Sequence, residues 1–330
     1  MTFRHSGDLG DVIYALPILK TIPGKHSLFF VDRPGITRPL TPRMGILKLL
    51  FEAQDYIDEV VATEANPDFD IVPFRRFHSS TTTLVDAQLN EINSYAATPI
   101  KVDTTLPWLK AEPDERSKGK IIIARSPRYN NNFFPWRQIV QHYGDRLLFV
   151  GIEQEHTNFC FTCGNVERIE VSNYLELAGL IAGAELFIGN QSSPMAVAIG
   201  LGVPFIQEVC LEQPDCIFKR HTAQYVADGS CVLPDVSGSG ELKIDKIYKP
   251  TFSGNRNIVP PGYWQYPGLP ANNHFVVQSG YVAKKHGMSK KEAEDALYEH
   301  NLNRVPDFFT GHTNNPFYLF EKAYINAFNT

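Results

Sequence analysis

Two short segments carry side chains whose types and spacing could do chemistry. The first is Ser6-Gly7-Asp8-Leu9-Gly10-Asp11, which runs into the apolar stretch Val12-Ile13-Tyr14-Ala15-Leu16-Pro17. A carboxylate at the turn from a strand into a helix suits removal of a proton from an attacking hydroxyl. Asp11 falls at the helix start, where amide donors stabilise its charged form and keep it available as a base at neutral pH. Gly7 and Gly10 let the backbone approach a ligand closely, although the G-x-G-x-x-G spacing of dinucleotide loops is absent. The same residues also fit a plainer role, Asp8 or Asp11 capping the helix, and the loop alone leaves both readings open. The second segment is Leu186-Phe187-Ile188-Gly189-Asn190-Gln191-Ser192-Ser193-Pro194-Met195-Ala196-Val197-Ala198. It reads as a strand, a small polar loop and a helix with proline just inside its start. Ser192 or Ser193 can cap that helix, and its free amides could hold a diphosphate, although an ordinary well-capped βα unit has the same pattern.

Other candidates lie at strand ends. Arg125 and Arg128 follow an apolar strand, and Arg125 is the one favoured to neutralise a leaving diphosphate. Glu208, after another strand, could accept hydrogen bonds from a ribose. Arg75, Arg76 and His78 could grip an anionic acceptor or form a solvated loop. Asp68-Phe69-Asp70 resembles a metal-binding D-x-D, but it leads into an apolar run and reads better as a strand-edge carboxylate pair. Cys160 and Cys163 have zinc or redox spacing without a second such pair, and the ten histidines show no ligand spacing. No metal site is expected.

The elements that must position these groups alternate. Strands are expected over 2–5, 27–31, 59–62 and 71–74, with helices over 12–22 and 44–51. Residues 106–120, with Pro107, Pro113, Gly119 and many charges, read as an exposed linker. A second alternation follows: strands over 120–124, 147–151, 166–171, 186–189 and 203–207, with helices over 136–143, 174–182 and 194–201. The expected fold class is α/β with two facing Rossmann-like domains, 1–115 and 116–250, plus an extension over 251–330. The extension carries Tyr263, Trp264 and Tyr266, lysine pairs, and helical patterns over 289–301 and 316–328. It reads as a wrap closing the domains or an acceptor-recognition segment, with Trp264 as the stacking candidate.

Bulk properties narrow the class. With 330 residues, 43% hydrophobic and 20% charged, the chain has the composition of a soluble globular protein of two domains. A net charge of −5 gives no global pull toward nucleic acid or anionic membrane. No apolar run suits stable membrane insertion, no signal core opens the chain, and five cysteines fit a reducing cytoplasm.

The run from Gly7 to Pro17 resembles the opening of the ADP-heptose:lipopolysaccharide heptosyltransferases, a GT-B type glycosyltransferase family in which a Gly-Asp pair and an apolar helix carry the catalytic aspartate. The resemblance gives that role to Asp11 and leaves Asp8 on a variable position near the acceptor. In the second motif the chain keeps Gly189, Asn190, Ser192, Pro194 and Met195. It departs at Gln191 for the usual acid, Ser193 for glycine and Ala196 for histidine, which suggests that the sugar or its contacts differ from heptose. The resemblance implies a metal-independent inverting transfer from a nucleotide-diphosphate sugar, used as co-substrate with no resident cofactor. It gives the acceptor to domain 1–115 and the donor to domain 116–250; Gly10 and residues 190–195 would bind the donor, and a glycan, a lipid-linked oligosaccharide or a hydroxymethylated DNA base would accept. A sugar-nucleotide epimerase and a non-catalytic nucleotide-sugar-binding protein are the alternatives; the altered Ala196 speaks for the latter and Asp11 against it.

Overall fold

Thr2–His5 (β1) and His26–Phe30 (β2) alternate buried with half-exposed residues, so each turns one face into a core. In the computed structural model, which describes residues 1–32, 40–78, 82–210, 213, 215–218, 222–226, 231 and 233–234, they pair in parallel. Ile57–Ala62 (β3) and Phe69–Asp70 (β4) complete a sheet of order β3-β2-β1-β4. Leu9–Thr21 (α1) and Met44–Glu52 (α2) connect β1 to β2 and β2 to β3. Both steps run the same way, so right-handed crossovers put both helices on one face. The step to β4 reverses direction, which leaves a crevice between the carboxyl ends of β1 and β4.

The expected strand over 71–74 is instead a 3-10 turn, Val72–Phe77, after the two-residue β4. Pro73 lacks the N–H that a ladder needs. Leu84–Asn93 (α3) is an additional helix that hydrophobic periodicity hides, because two of its buried positions are Gln88 and Glu91. Glu91 takes a two-pronged pair from Arg76, and Gln88 Nε2 donates to the Asp11 carbonyl at 2.8 Å, while Gln88 Oε1 is buried without a hydrogen bond.

The second sheet has the order β10-β9-β8-β5-β6-β7 and is parallel throughout. Its strands are Ile121–Ala124 (β5), Leu147–Val150 (β6), Glu167–Ile169 (β7), Leu186–Asn190 (β8), Phe205–Glu208 (β9) and Ala223–Val226 (β10). Strand parity divides β5: Ile121 and Ile123 pack with Trp136, Ile139 and Phe159, while Ile122 and Ala124 join the core of Leu177, Ala178 and Val197. Trp136–Tyr143 (α4) and Glu153–Cys163 (α5) therefore cover one face, and Tyr174–Gly183 (α6) and Ser193–Leu201 (α7) the other. Burial on both faces is why β5 reads as an unbroken apolar run. Cys160 and Cys163 lie on α5, and all five cysteines are free.

The two helix layers pack on each other, α1 against α7 and α2 against α6, and one apolar cluster runs through both halves. Residues 106–120 are largely exposed, as expected of a linker, but they are anchored at points along their length. Trp108 and Leu109 are buried, and both of their N–H groups donate to the Gly200 carbonyl, at 2.8 and 2.9 Å. The contact needs a bare Cα at Gly200, because a Cβ there would lie 2.7 Å from Leu109 Cδ1 and 2.9 Å from Trp108 Nε1. The expected extension over 251–330, Trp264 and both helical patterns included, lies outside the described residues. No described helix is long and apolar enough to cross a membrane.

Candidate active site

The crevice at β1/β4 faces the one at β5/β8, and between them lies a cleft of about 600 Å³ lined from both halves. Its floor is made by two helix starts. A Cβ on Gly10 of α1 would stand 3.8 Å from the N and Cα of Ser193 on α7, so the two N-termini meet. The positive dipole ends of both helices thus converge on one space; the α1 start is answered by a capping box of Asp8 and Asp11, whereas no side chain caps the α7 start, which favours a bound anion there. Gly7 is needed for the loop above: a Cβ there would come within 2.6 Å of both the Asp11 Cβ and the His5 ring.

Asp11 sits at this floor with its side chain 14% exposed. Arg75 Nη2 donates to its Oδ2 at 2.5 Å, and the Asp8 N–H donates to the same oxygen at 3.1 Å. Sequence reasoning expected helix amides to favour the charged form. Burial outweighs them: desolvation pushes the Asp11 carboxyl above its ordinary value, Asp8 and Asp215 add to the rise, and Arg75 and the Asp8 amide pull against it. A carboxylate made more basic in this way is better matched to proton abstraction near neutral pH.

Asp8 lies between two arginines from opposite halves, Arg43 at 3.4 Å and Arg128 at 3.3 Å. His78 Nε2 lies 2.9 Å from Asp215 Oδ2, another contact between the halves. That hydrogen bond, ahead of the opposing desolvation, raises the His78 pKa. Tyr129, on the cleft wall, holds φ 56°, a conformation uncommon outside glycine. Ser192 is the N-cap residue of α7 and, like Ser193, lines the cleft; the Ser193 hydroxyl is hydrogen-bonded to Tyr174.

Several expected donor residues are turned away from this space. Arg125 and Glu208 do not line the cleft. They form a two-pronged ion pair at 3.0 Å, and fully buried Glu208 also accepts from the Asn131 N–H and Trp136 Nε1. In this structure the Glu208 carboxylate thus holds protein groups where a ribose contact was expected, and of the two arginines that follow β5 the one on the cleft wall is Arg128. Parity carries the signal: Arg125 continues the Ile121–Ile123 series and Glu208 continues Ile206, both toward α4.

Asn190 is fully buried and braces the loop after β5, donating to the Ser126 and Arg128 carbonyls and accepting from the Ser126 N–H. Gln191 lines the cleft, but its amide donates to the Gln213 carbonyl and Asp215 and accepts from the Cys210 N–H. Pro194 lies in the first turn of α7, while Met195 and Ala196 are fully buried core residues. Arg76 is committed to Glu91 and does not line the cleft, whereas Asp8, Asp11, Arg75 and His78 do. Sequence reasoning passed over Arg43, Glu155 and Asp215, which also line it. Asp68 accepts from Thr2, and Asp70 pairs with Arg4. Among the described residues, no group of three or more His, Cys, Asp or Glu is arranged to hold a metal ion.

No protein-family model and no characterised protein sequence matches the chain. Among solved structures it is similar to Escherichia coli heptosyltransferase WaaC with ADP-2-deoxy-2-fluoro heptose, at 12% identity and TM-score 0.40 over 63% of this chain and 88% of that one. It is also similar to E. coli ADP-heptose lps heptosyltransferase II, at 12% identity and TM-score 0.43 over 68% and 89%. A third similar structure is the glycosyl transferase family 9 protein from Veillonella parvula, at 15% identity and TM-score 0.43 over 62% and 79%.

Proposed function

We propose that the chain is a cytoplasmic, metal-independent glycosyltransferase that moves a sugar from a nucleoside-diphosphate sugar to an acceptor hydroxyl with inversion. The observation that carries this reading is the meeting of Asp11 with the N-terminus of α7 in one cleft lined from both halves. The two motifs of the resemblance thus converge on one space. The acceptor hydroxyl loses its proton to Asp11 as its oxygen bonds to the anomeric carbon, and the bond from that carbon to the diphosphate oxygen breaks. Charge growing on the diphosphate meets the α7 amides and Arg128. Arg75 holds the Asp11 carboxylate in place before the reaction. The acceptor is a glycan, a lipid-linked oligosaccharide or a hydroxymethylated DNA base.

The test incubates the protein with a panel of nucleotide sugars, with and without candidate acceptors, and follows products by mass spectrometry. A mass increase of one sugar on an acceptor, or slow release of free sugar into water, supports the reading; both must vanish in Asp11→Asn. Release of an isomerised sugar without an acceptor would point to an epimerase. Tight donor binding with no turnover on any acceptor would point to a binding protein.

A further inference from the structure

His78 and Asp215 lie 137 positions apart and meet at the cleft wall. Asp215 is tied to both halves. Its carbonyl accepts from the Leu84 N–H at 2.9 Å and its Oδ2 faces His78, both from the first half. Its Oδ1 accepts from Gln191 Nε2 and from the Cys216 thiol, each at 3.3 Å, on the second half. Gln191 immediately precedes the Ser192 cap of α7. A hydrogen-bonded chain therefore runs from His78 through Asp215 and Gln191 to the helix start where an anion would sit. The imidazole comes from the first half, but its tether is on the side of the α7 anion site. Because the Asp215 carboxylate can only accept, Nε2 of His78 carries a proton.

We propose that Asp215 holds His78 as an imidazolium on the cleft wall to contact the diphosphate of the donor and of the product. This rests on the transferase reading and assigns His78 to the diphosphate rather than to the acceptor. The charged groups bearing on the imidazole are Asp215 from the loop after β9, Asp11 from α1 and Arg75 from its own turn. The two carboxylates favour its charge and the arginine opposes it, with the Asp215 bond the largest influence. The imidazolium therefore persists to higher pH than that of an ordinary histidine and is lost as pH rises through the elevated value.

The experiment measures affinity of the full-length protein for ADP, UDP, GDP and inorganic pyrophosphate by titration calorimetry across pH 5.5 to 9. It compares wild type, His78→Gln and Asp215→Asn, each checked for an unchanged circular dichroism spectrum. The ligand's terminal phosphate also ionises within this range, with the opposite sense, and the difference between wild type and His78→Gln removes that contribution. Wild type should bind about tenfold tighter than His78→Gln at the acid end, and the two should converge at the alkaline end. Asp215→Asn should keep the break but move it to lower pH. A constant ratio between wild type and His78→Gln at every pH would overturn the proposal, as would an unmoved break in Asp215→Asn. Failure of wild type to bind any of the four ligands at any pH would overturn the transferase reading itself.

Discussion

The two halves treat their polar motif residues in opposite ways. In the first half Asp8, Asp11, Arg75 and His78 all face the cleft, the first two from the start of α1 and the others from the 3-10 turn after β4 and its end. In the second half Arg125, Asn190 and Glu208 turn into the protein and hold their own loops together, and the cleft receives the α7 start and Arg128. The difference teaches that a polar residue at the carboxyl edge of a strand can shape a site from beneath without touching its ligand. It also separates two kinds of mutational loss, one of chemistry and one of scaffold.

The sharpest test of that separation is Asp11→Asn. Turnover should fall about 10³-fold, the range for loss of a general base, with affinity for a nucleoside diphosphate nearly unchanged. Ionised Asp11 costs folding free energy above its raised pKa, and the cost is relieved as pH falls through that value. The variant should therefore melt no lower than wild type at neutral pH, by differential scanning fluorimetry. Next comes Arg125→Ala, which strands the fully buried Glu208 carboxylate. It should cost about 3–5 kcal/mol of stability, read as a lowered denaturation midpoint, with affinity for nucleoside diphosphate kept by the fraction still folded. A normal midpoint with weakened affinity would break the comparison.

Arg128→Ala should do the reverse: about a tenfold loss of diphosphate affinity by calorimetry at an unchanged midpoint. The smallest effect concerns pH. Turnover should fall as pH drops through the raised pKa of Asp11, giving an acid limb above that of an ordinary carboxylate. Arg75→Gln removes the chief influence lowering that pKa, so the limb should move to higher pH still in a profile of kcat.

Much of this was legible in the sequence. The apolar run after Asp11 and the proline-started helix after Ser192 mark α1 and α7, and strict apolarity marks β5. What was not legible depends on parity or on distant pairing. Arg125 and Arg128 share one turn, and only the alternation along β5 sends the first toward Trp136. α3 and α5 escape because buried glutamine and glutamate interrupt one face and the other helix buries only Phe159. Beyond the thiol of its neighbour Cys216, Asp215 gains its place through His78, Leu84 and Gln191, none of them nearby in the chain.

The seating of Trp108 and Leu109 on Gly200 has a mechanical consequence. A two-lobed enzyme that opens by rotation needs a loose hinge between its lobes. Here the crossing segment is pinned to α7 by two backbone hydrogen bonds, and Tyr56 holds it from the other side through the Trp108 carbonyl. Rotating the halves apart would also pull α1 from α7 and bring shared apolar surface into water. Ligand entry then falls to the loops at the cleft rim, and the halves should melt together. Calorimetry should record a single cooperative transition, and two separated transitions would mean that the lobes are independent after all.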